Sequence, residues 1–556
     1  MREATRILKA TSHKIVEIFR WFWQERRQEA VLIAAFLFSI VLVWPQGDFP
    51  LNDDWTYGKS VLKLLRTGQF HVGNSASTLF THIWWGTLFV KVFGFSFNVL
   101  RLSSWVSVIA AIVIGGTLLR KLNVSGPVIF IALLCMAVNP IYYCTAFTFM
   151  TDVNFCTLLL CCIYLAHSFL TTGSYKALVM FFILSLMLVL LRQFGIIVPA
   201  ALIIAGLLNA QRRWLNTTLA IAGTAAIYVV FRYYEGWLAL KAQGEAYPSS
   251  EKYDLLSSEF WQHIFLNLQI RYKYIIAQVC TWSGPFLVVF MVPLIRKLRW
   301  LALPVIFGWA LVAGFVLNDA VFPMGNIFIN LSLGAETFYQ TLNPDVRPPV
   351  EHTYSPVLAE VLYWVKLVSI CISFSVLTML LLAASIKKVR AVSVSFTVFC
   401  CAVFLAYIFL LLVSDPFFDR YMLPLVLLLI VIAAGFKFDK PLFVLPAWLY
   451  LLPMIYISVA GTRDYFVLNR LRWEAYRHLR FEKNIPLARI NGGNEVNCWH
   501  EGEDFIWWDH IFLENHNYLI QYRQEPGFKV YREFEFYRFL GFRRDRLYIF
   551  ERVEKI

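Results

Sequence analysis

The sequence predicts a mainly α fold: a polytopic transmembrane helical bundle with outer-face amphipathic helices and a small C-terminal α/β domain. Three observations predict it. Of the 556 residues, 59% are hydrophobic and only 15% are charged, whereas a soluble domain carries roughly 25% charge. Apolar runs of membrane-spanning length recur along most of the chain. The connections between those runs alternate between short basic clusters and other polar segments, the pattern that sets orientation in a membrane.

The net charge of +14 raises the question of nucleic acid. The distribution argues against it, because many Lys and Arg residues lie in short clusters between apolar runs. Nine of the ten cysteines lie in or beside apolar runs, Cys498 being the exception. No CxxC or Cys/His ligand spacing occurs, so neither a disulfide framework nor a structural zinc site is expected. No cofactor is called for, and a divalent metal has no ligand pattern to support it. P-loop, GxGxxG, GxSxG and HExxH motifs are missing, which removes ATPase, dinucleotide, esterase and zincin readings.

Residues 1–29 are basic and partly amphipathic, with Arg20, Arg26 and Arg27 beside Trp21, Phe22 and Trp23. They read as a cytoplasmic interfacial helix or as the positive flank of the first span. A transmembrane domain is expected over 30–460. Its spans fall near 30–45, 98–119, 125–141, 153–171, 177–191, 194–210, 214–231, 276–295, 300–317, 358–384, 392–413, 420–436 and 441–460. With a cytoplasmic N-terminus, the inner connections are Arg120-Lys121, Lys176, Arg212-Arg213, the Arg296 to Arg299 cluster, Lys387 to Arg390, and Lys437 with Lys440. All carry cations. The other side receives a first outer loop at 46–97, a second loop ending at Asp152, the tight turn Arg192-Gln193, segments 232–275 and 318–357, and Asp415 to Arg420.

Within the first loop, Asp54 to Arg66 and Thr78 to Phe93 read as surface helices with a turn around Gly68 and Gly73. Ser258 to Tyr274 reads as a further interfacial helix. An extracytoplasmic α/β domain is expected over 461–556. It begins with a charged helix from Asp464 to Phe481. Short strands follow around Ala488 to Ile490, Tyr518 to Ile520, Phe528 to Tyr531 and Leu547 to Phe550, with turns at Gly492-Gly493 and Pro526-Gly527. Trp499, Trp507 and Trp508 read as core ahead of an acceptor groove.

The acids of the outer side carry the chemical interest. Neighbours on a helix point about 100° apart, so Asp53 and Asp54 cannot form a shared-proton dyad by adjacency. Two readings fit the pair. Asn52 or Asp53 caps the helix that starts there, or Asp53 is a catalytic base; the two are compatible. Asp152 either caps its span or belongs to the same site, since an ionisable group at the membrane boundary is a functional candidate. Among the outer cations, Arg101, Arg192, Arg232, Arg271, Lys273 and Arg420, either Arg192 or Arg420 suits a phosphate at the bilayer surface. The plainer reading of each is snorkelling or pairing with Asp415 or Asp419. His71, His82, His263 and His352 read as ordinary surface residues.

With these residues in view, the chain resembles the C-type membrane-embedded glycosyltransferases. The closer likeness is to the lipid A aminoarabinose transferases, the protein O-mannosyltransferases and the bacterial transferases grouped with them. Asp53-Asp54-Trp55-Thr56-Tyr57 resembles their first-loop acidic pair followed by a tyrosine. Phe93-Gly94-Phe95-Ser96 through Arg101-Leu102-Ser103 resembles the lead into their second span. Asp152 matches the acid of their second outer loop. Gln193-Phe194-Gly195 to Pro199 and Arg420-Tyr421-Met422-Leu423-Pro424 resemble two later segments. There is one departure: many relatives carry Lys-Pro where this chain has Ser77-Thr78.

The resemblance implies transfer of a sugar from a polyprenyl-phosphate donor to a hydroxyl of a glycolipid, polysaccharide or protein acceptor, with inversion, at the outer face of a bacterial cytoplasmic (inner) membrane. Asp53 is the implied base and Asp152 its partner. Asp54, Tyr57 and Tyr421 are implied substrate contacts. Without Lys-Pro, the lipid phosphate falls to Arg192, Arg420 or the Arg271/Lys273 pair. Membrane lipid is the other expected partner, and nucleic acid is not. The competing reading is a transporter or flippase of lipid-linked saccharides. It expects polar groups near the bilayer midplane, whereas these spans are mostly apolar.

Overall fold

The computed structural model describes residues 25–72, 78–208, 213–241, 257–323, 325–333, 356–387, 389–414, 417–438, 442–500 and 516–553. Most of the basic arm, Ser77, His352, Asp415, Trp507 and Trp508 lie outside the described residues.

The protein is a helical membrane bundle carrying a small sheet at its C-terminus. Every apolar run expected to span is helical. Among the described residues, seven helices are long and apolar enough to cross a membrane, and eight if one bent pair counts as a single span. The expected thirteen crossings are therefore not all delivered by single long helices. Tyr175–Val189 has only 15 residues, and the run after Gln193 is also short. Ser258–Val316 packs two expected runs into 59 residues of nearly continuous helix.

Local chemistry explains several of the helix ends. Ser96 accepts from the Val99 amide at 3.1 Å and opens Phe97–Lys121, which closes on Arg120 and Lys121 where cations favour the helix C-terminus. Asn139 accepts from the Ile141 and Tyr142 amides ahead of Pro140. That cap and the proline restart the chain at 67° to Gly126–Ala137, so one expected span is bent. Gly195 lets the Gln193–Ile196 turn fold back on the preceding helix. A Cβ there would stand 2.8 Å from the Leu188 carbonyl carbon and the Val189 nitrogen.

The contacts of the connections sort into two ends. At the basic end, Arg26 donates to Thr117 and Arg120 pairs with the buried Glu29. Ser395 reaches the Leu208 carbonyl, and Lys297 lies over Phe438. Arg390–Ala391 pairs antiparallel with Phe436–Lys437. These are the segments the charge pattern groups on one side. At the opposite end Arg101, buried at the start of its helix, donates to the Gly47 carbonyl at 2.7 Å and the Phe49 carbonyl at 2.5 Å. It fastens the first loop to the bundle.

The surface helices of the first loop are present as Asp54–Thr67 and Phe80–Phe93. Two other expectations change. The stretch Ser258 to Tyr274 is no separate interfacial helix but the first half of Ser258–Leu287, 30 residues long. Its Asn267 and Arg271 donate to carbonyls at 411–414, which holds it in the bundle. Likewise the charged stretch from Asp464 continues the last apolar run as one helix, Leu445–Arg477, across the expected domain boundary.

Among the described residues beyond that helix, four strands form a mixed sheet. Ile490–Asn491 runs parallel to Tyr518–Gln521, which pairs antiparallel with Arg543–Arg552, which in turn pairs antiparallel with Phe528–Arg538. The last two strands are longer than their apolar cores suggested, because ladder hydrogen bonds extend through their charged flanks. Asp464 fixes the sheet to the bundle by accepting the Phe539 and Leu540 amides at 3.0 and 2.7 Å.

Candidate active site

Asp53 stands at the N-cap position of Asp54–Thr67, but its side chain makes no capping bond. It turns instead to Arg420, whose Nη2 donates to Asp53 Oδ2 at 3.0 Å. Asp152 sits in the first turn of Thr151–Thr172 and makes no capping bond either. Its Oδ2 is 3.8 Å from Arg420 Nε, and its Oδ1 is 3.0 Å from Arg192 Nη2. Both capping readings therefore fail. Two acids and two arginines from four separate segments meet in one cluster.

The four differ in access. The Asp53 side chain retains 20% exposure, whereas Asp152 retains 1%. Both arginines are largely buried. Burial works against each charge, and mutual pairing offsets it. Burial, with Asp152 and Glu495 nearby, outweighs Arg420 and Arg192 and holds the Asp53 carboxyl above its ordinary value of 3.8. Burial also opposes the charge on Arg420, but Asp53, Tyr421 and Asp152 outweigh it and raise the guanidinium above its ordinary value.

Not every donor in the cluster is used. Among the described residues, Arg420 Nε and Nη1, Arg192 Nε and both Asp152 oxygens have no hydrogen-bond partner. Asp152 meets the two arginines as ion pairs at 3.0 and 3.8 Å and not as hydrogen bonds. Buried polar atoms are seldom left so. Unused guanidinium N–H groups beside a partly open carboxylate can take an anion such as a phosphate.

The Tyr421 ring braces both arginines, with Arg192 and Arg420 over it at 5.3 and 5.5 Å. Phe418 lies under Arg420 at 4.7 Å. Tyr57, one helical turn after Asp53, is buried against His82 and Phe149 and lies within electrostatic reach of all four charges.

The adjacent Asp54 points elsewhere. It is fully buried and accepts the Phe149 amide at 2.8 Å and the Leu51 amide at 3.3 Å. It ties the first loop to the second, and burial pushes its pKa up to about 8. Both of its oxygens face loop backbone. Arg271 and Lys273 are likewise committed away from the cluster. Arg271 donates to the Leu411 and Ser414 carbonyls, and Lys273 pairs with Asp319 at 2.7 Å.

His82 is not a surface residue. It is buried, with Nε2 3.0 Å from the Phe149 carbonyl and Nδ1 2.9 Å from Asn154 Nδ2. That pattern assigns the proton to Nε2. Burial lowers its pKa to about 3. Among the described residues, no group of three or more His, Cys, Asp or Glu side chains is placed to hold a metal ion. Trp499 packs on Phe95 and Phe97.

Sequence reasoning missed the frame of this site. Asp419 Oδ2 accepts the Ile327 and Phe328 amides, each at 2.9 Å. Asn330, the last residue of the short helix Ile327–Asn330, donates to Asn52 Oδ1 at 2.7 Å. A ring of contacts thus runs from Arg420 through Asp419, 327–330 and Asn52 back to Asp53. Only the side-by-side placement of Asp419 and Arg420 in one polar segment hinted at it.

No protein-family description matches the chain, and no curated protein matches its sequence. Similar solved structures include ArnT from Cupriavidus metallidurans in the apo state, with a TM-score of 0.38 and 13% identity over 84% of this chain and 83% of that one, and the same protein bound to undecaprenyl phosphate, with a TM-score of 0.40 and 13% identity over 94% and 97%. A likeness this distant leaves the chemistry to be argued from this chain's own residues.

Proposed function

We propose that this chain is a glycosyltransferase that moves a sugar from a polyprenyl phosphate to an acceptor hydroxyl, working at the outer membrane–water boundary. The observation that carries the reading is the cluster itself. Asp53 is the one partly exposed carboxylate, released from capping, and it faces arginines with unused donors.

In this reading Asp53 takes the proton from the acceptor hydroxyl as the oxygen attacks the anomeric carbon. The bond between that carbon and the phosphate oxygen breaks, and the lipid phosphate leaves with the bonding pair. Attack opposite the leaving group inverts the anomeric centre. Arg420 and Arg192 stabilise charge as it develops on the phosphate, in a site where burial strengthens them. Asp152, sealed from solvent, holds both arginines in place. The donor's hydrocarbon tail remains in lipid, so the chemistry belongs at the end of the bundle, where these residues sit.

The test is incubation of purified protein with a panel of radiolabelled polyprenyl-phosphate sugars and membrane extract. A labelled covalent product is expected, and Asp53→Asn is expected to abolish it while polyprenyl phosphate still binds. Movement of labelled lipid across a vesicle bilayer with no covalent product would favour transport instead.

A further inference from the structure

Glu495 belongs to the C-terminal domain, in the short helix Asn494–His500. It is buried, and its carboxylate is shared among three donors. Oε1 accepts the Asn52 backbone amide at 3.3 Å and the Tyr465 hydroxyl at 3.3 Å, while Oε2 pairs with Arg472 Nη1 at 3.2 Å. Asn52 is the residue immediately before Asp53, and 443 positions separate it from Glu495.

The geometry of Asn52 makes that bond informative. Its φ is +50°, the left-handed region that L-residues seldom adopt. Asn tolerates this better than most, but a strained turn persists only where the surroundings hold it. Two side chains from distant segments do so: Glu495 takes the backbone amide, and Asn330 donates to the side-chain oxygen at 2.7 Å. The turn sets the direction from which the Asp53 side chain reaches Arg420, because no capping bond ties it to its own helix. A second tie lies one turn into the helix, where Lys59 Nζ donates to the Cys498 carbonyl at 2.7 Å. Gly493, at φ +87°, gives the chain the bend that brings Glu495 under Asn52.

We infer that Glu495 is a positioning residue for Asp53, and that the C-terminal domain serves the reaction by holding the Asn52 turn in its left-handed form. This rests on the reading of Asp53 as the base. Glu495 touches no reacting atom; its oxygens are spent on Asn52, Tyr465 and Arg472. Misplacing a reacting group by about 1 Å costs on the order of 100-fold in rate.

The experiment uses the full chain in detergent or nanodiscs. The probe is the radiolabelled polyprenyl-phosphate sugar that gives most product with membrane extract. Glu495→Ala is expected to lower kcat by roughly 10- to 100-fold with donor KM within about threefold. Glu495→Gln keeps an acceptor for the Asn52 amide and is expected to restore most of that loss. Asn330→Ala unties the same turn from its other side without stranding a buried charge, so it provides the same kcat-against-KM split if Glu495→Ala does not fold.

A cycle with Asp53→Glu separates positioning from general structure. In that background the base is already displaced, so Glu495→Ala is expected to cost no more than about threefold further. Native kcat in both Glu495→Ala and Asn330→Ala, or equal losses in the two backgrounds, overturns the inference. Full turnover in Asp53→Asn instead removes the base assignment, a different result that the same assay distinguishes.

Discussion

Arg420 donates to Asp53 at 3.0 Å across 367 positions of sequence. The pair joins the start of a first-loop helix to the short turn before one of the last spans, and it fixes a carboxylate that no backbone amide holds. Lysine at 420 retains the charge but not the fork that reaches Asp53 and Asp152 and that the proposed mechanism also gives to the donor phosphate. Arg420→Lys is expected to lower product formation by about 100-fold and to weaken polyprenyl phosphate binding by about tenfold. Lys273→Ala breaks only an exposed pair with Asp319 and is expected to leave both within about twofold. Radiolabelled turnover and lipid-phosphate titration compare the two variants directly.

Asp152 and Arg192 are a buried pair, so removing one partner strands the other. Asp152→Asn is expected to lose about 3–5 kcal/mol of stability together with activity. The double variant Asp152→Asn with Arg192→Gln removes both charges and is expected to regain much of the stability and none of the turnover. Thermal unfolding in detergent reads the first quantity and sugar transfer the second. Recovery of both in the double variant would make the pair purely structural.

Asp54 offers the contrast to its neighbour. Both of its oxygens accept backbone amides, so asparagine keeps an acceptor for only one of the two. Asp54→Asn is expected to keep most activity, unlike Asp53→Asn. Asp54→Ala leaves the buried Phe149 and Leu51 amides without their acceptor, at a cost of about 1–3 kcal/mol in stability. Loss of turnover in a stable Asp54→Asn protein would count against a fastening role.

The pH dependence follows from the raised pKa of Asp53. In the proposed mechanism transfer needs the deprotonated form, so the rate is expected to fall as pH drops through a value above the ordinary 3.8. Stability runs the other way. A carboxyl raised by burial contributes most when protonated, and that contribution is lost as pH rises through the folded value. The charged groups around it are Arg420, Asp152, Arg192 and Glu495. Glu495→Gln removes a negative neighbour and is expected to move the acid limb of kcat/KM to lower pH. An acid limb at or below the free carboxylate value would contradict this environment for Asp53.

The sequence by itself determined the apolar runs, the surface helices after Asp53 and Thr78, the C-terminal strands and the grouping of basic connections. These are local properties: a run of apolar side chains, a 3.6-residue period, an alternating pattern or a cluster of cations needs no partner to be recognised. It also offered Asp53, Asp152, Arg192 and Arg420 as candidates, but with equal standing for Asp54, Arg271 and Lys273. Only the tertiary structure separated them, because a charged side chain acts according to what it faces. Asp54 meets two backbone amides, Arg271 meets carbonyls, and Lys273 meets Asp319, while the other four meet one another. The Asn52 turn and its Glu495 support lay beyond sequence reasoning altogether, since a bond between positions 443 apart leaves no periodic trace in the chain.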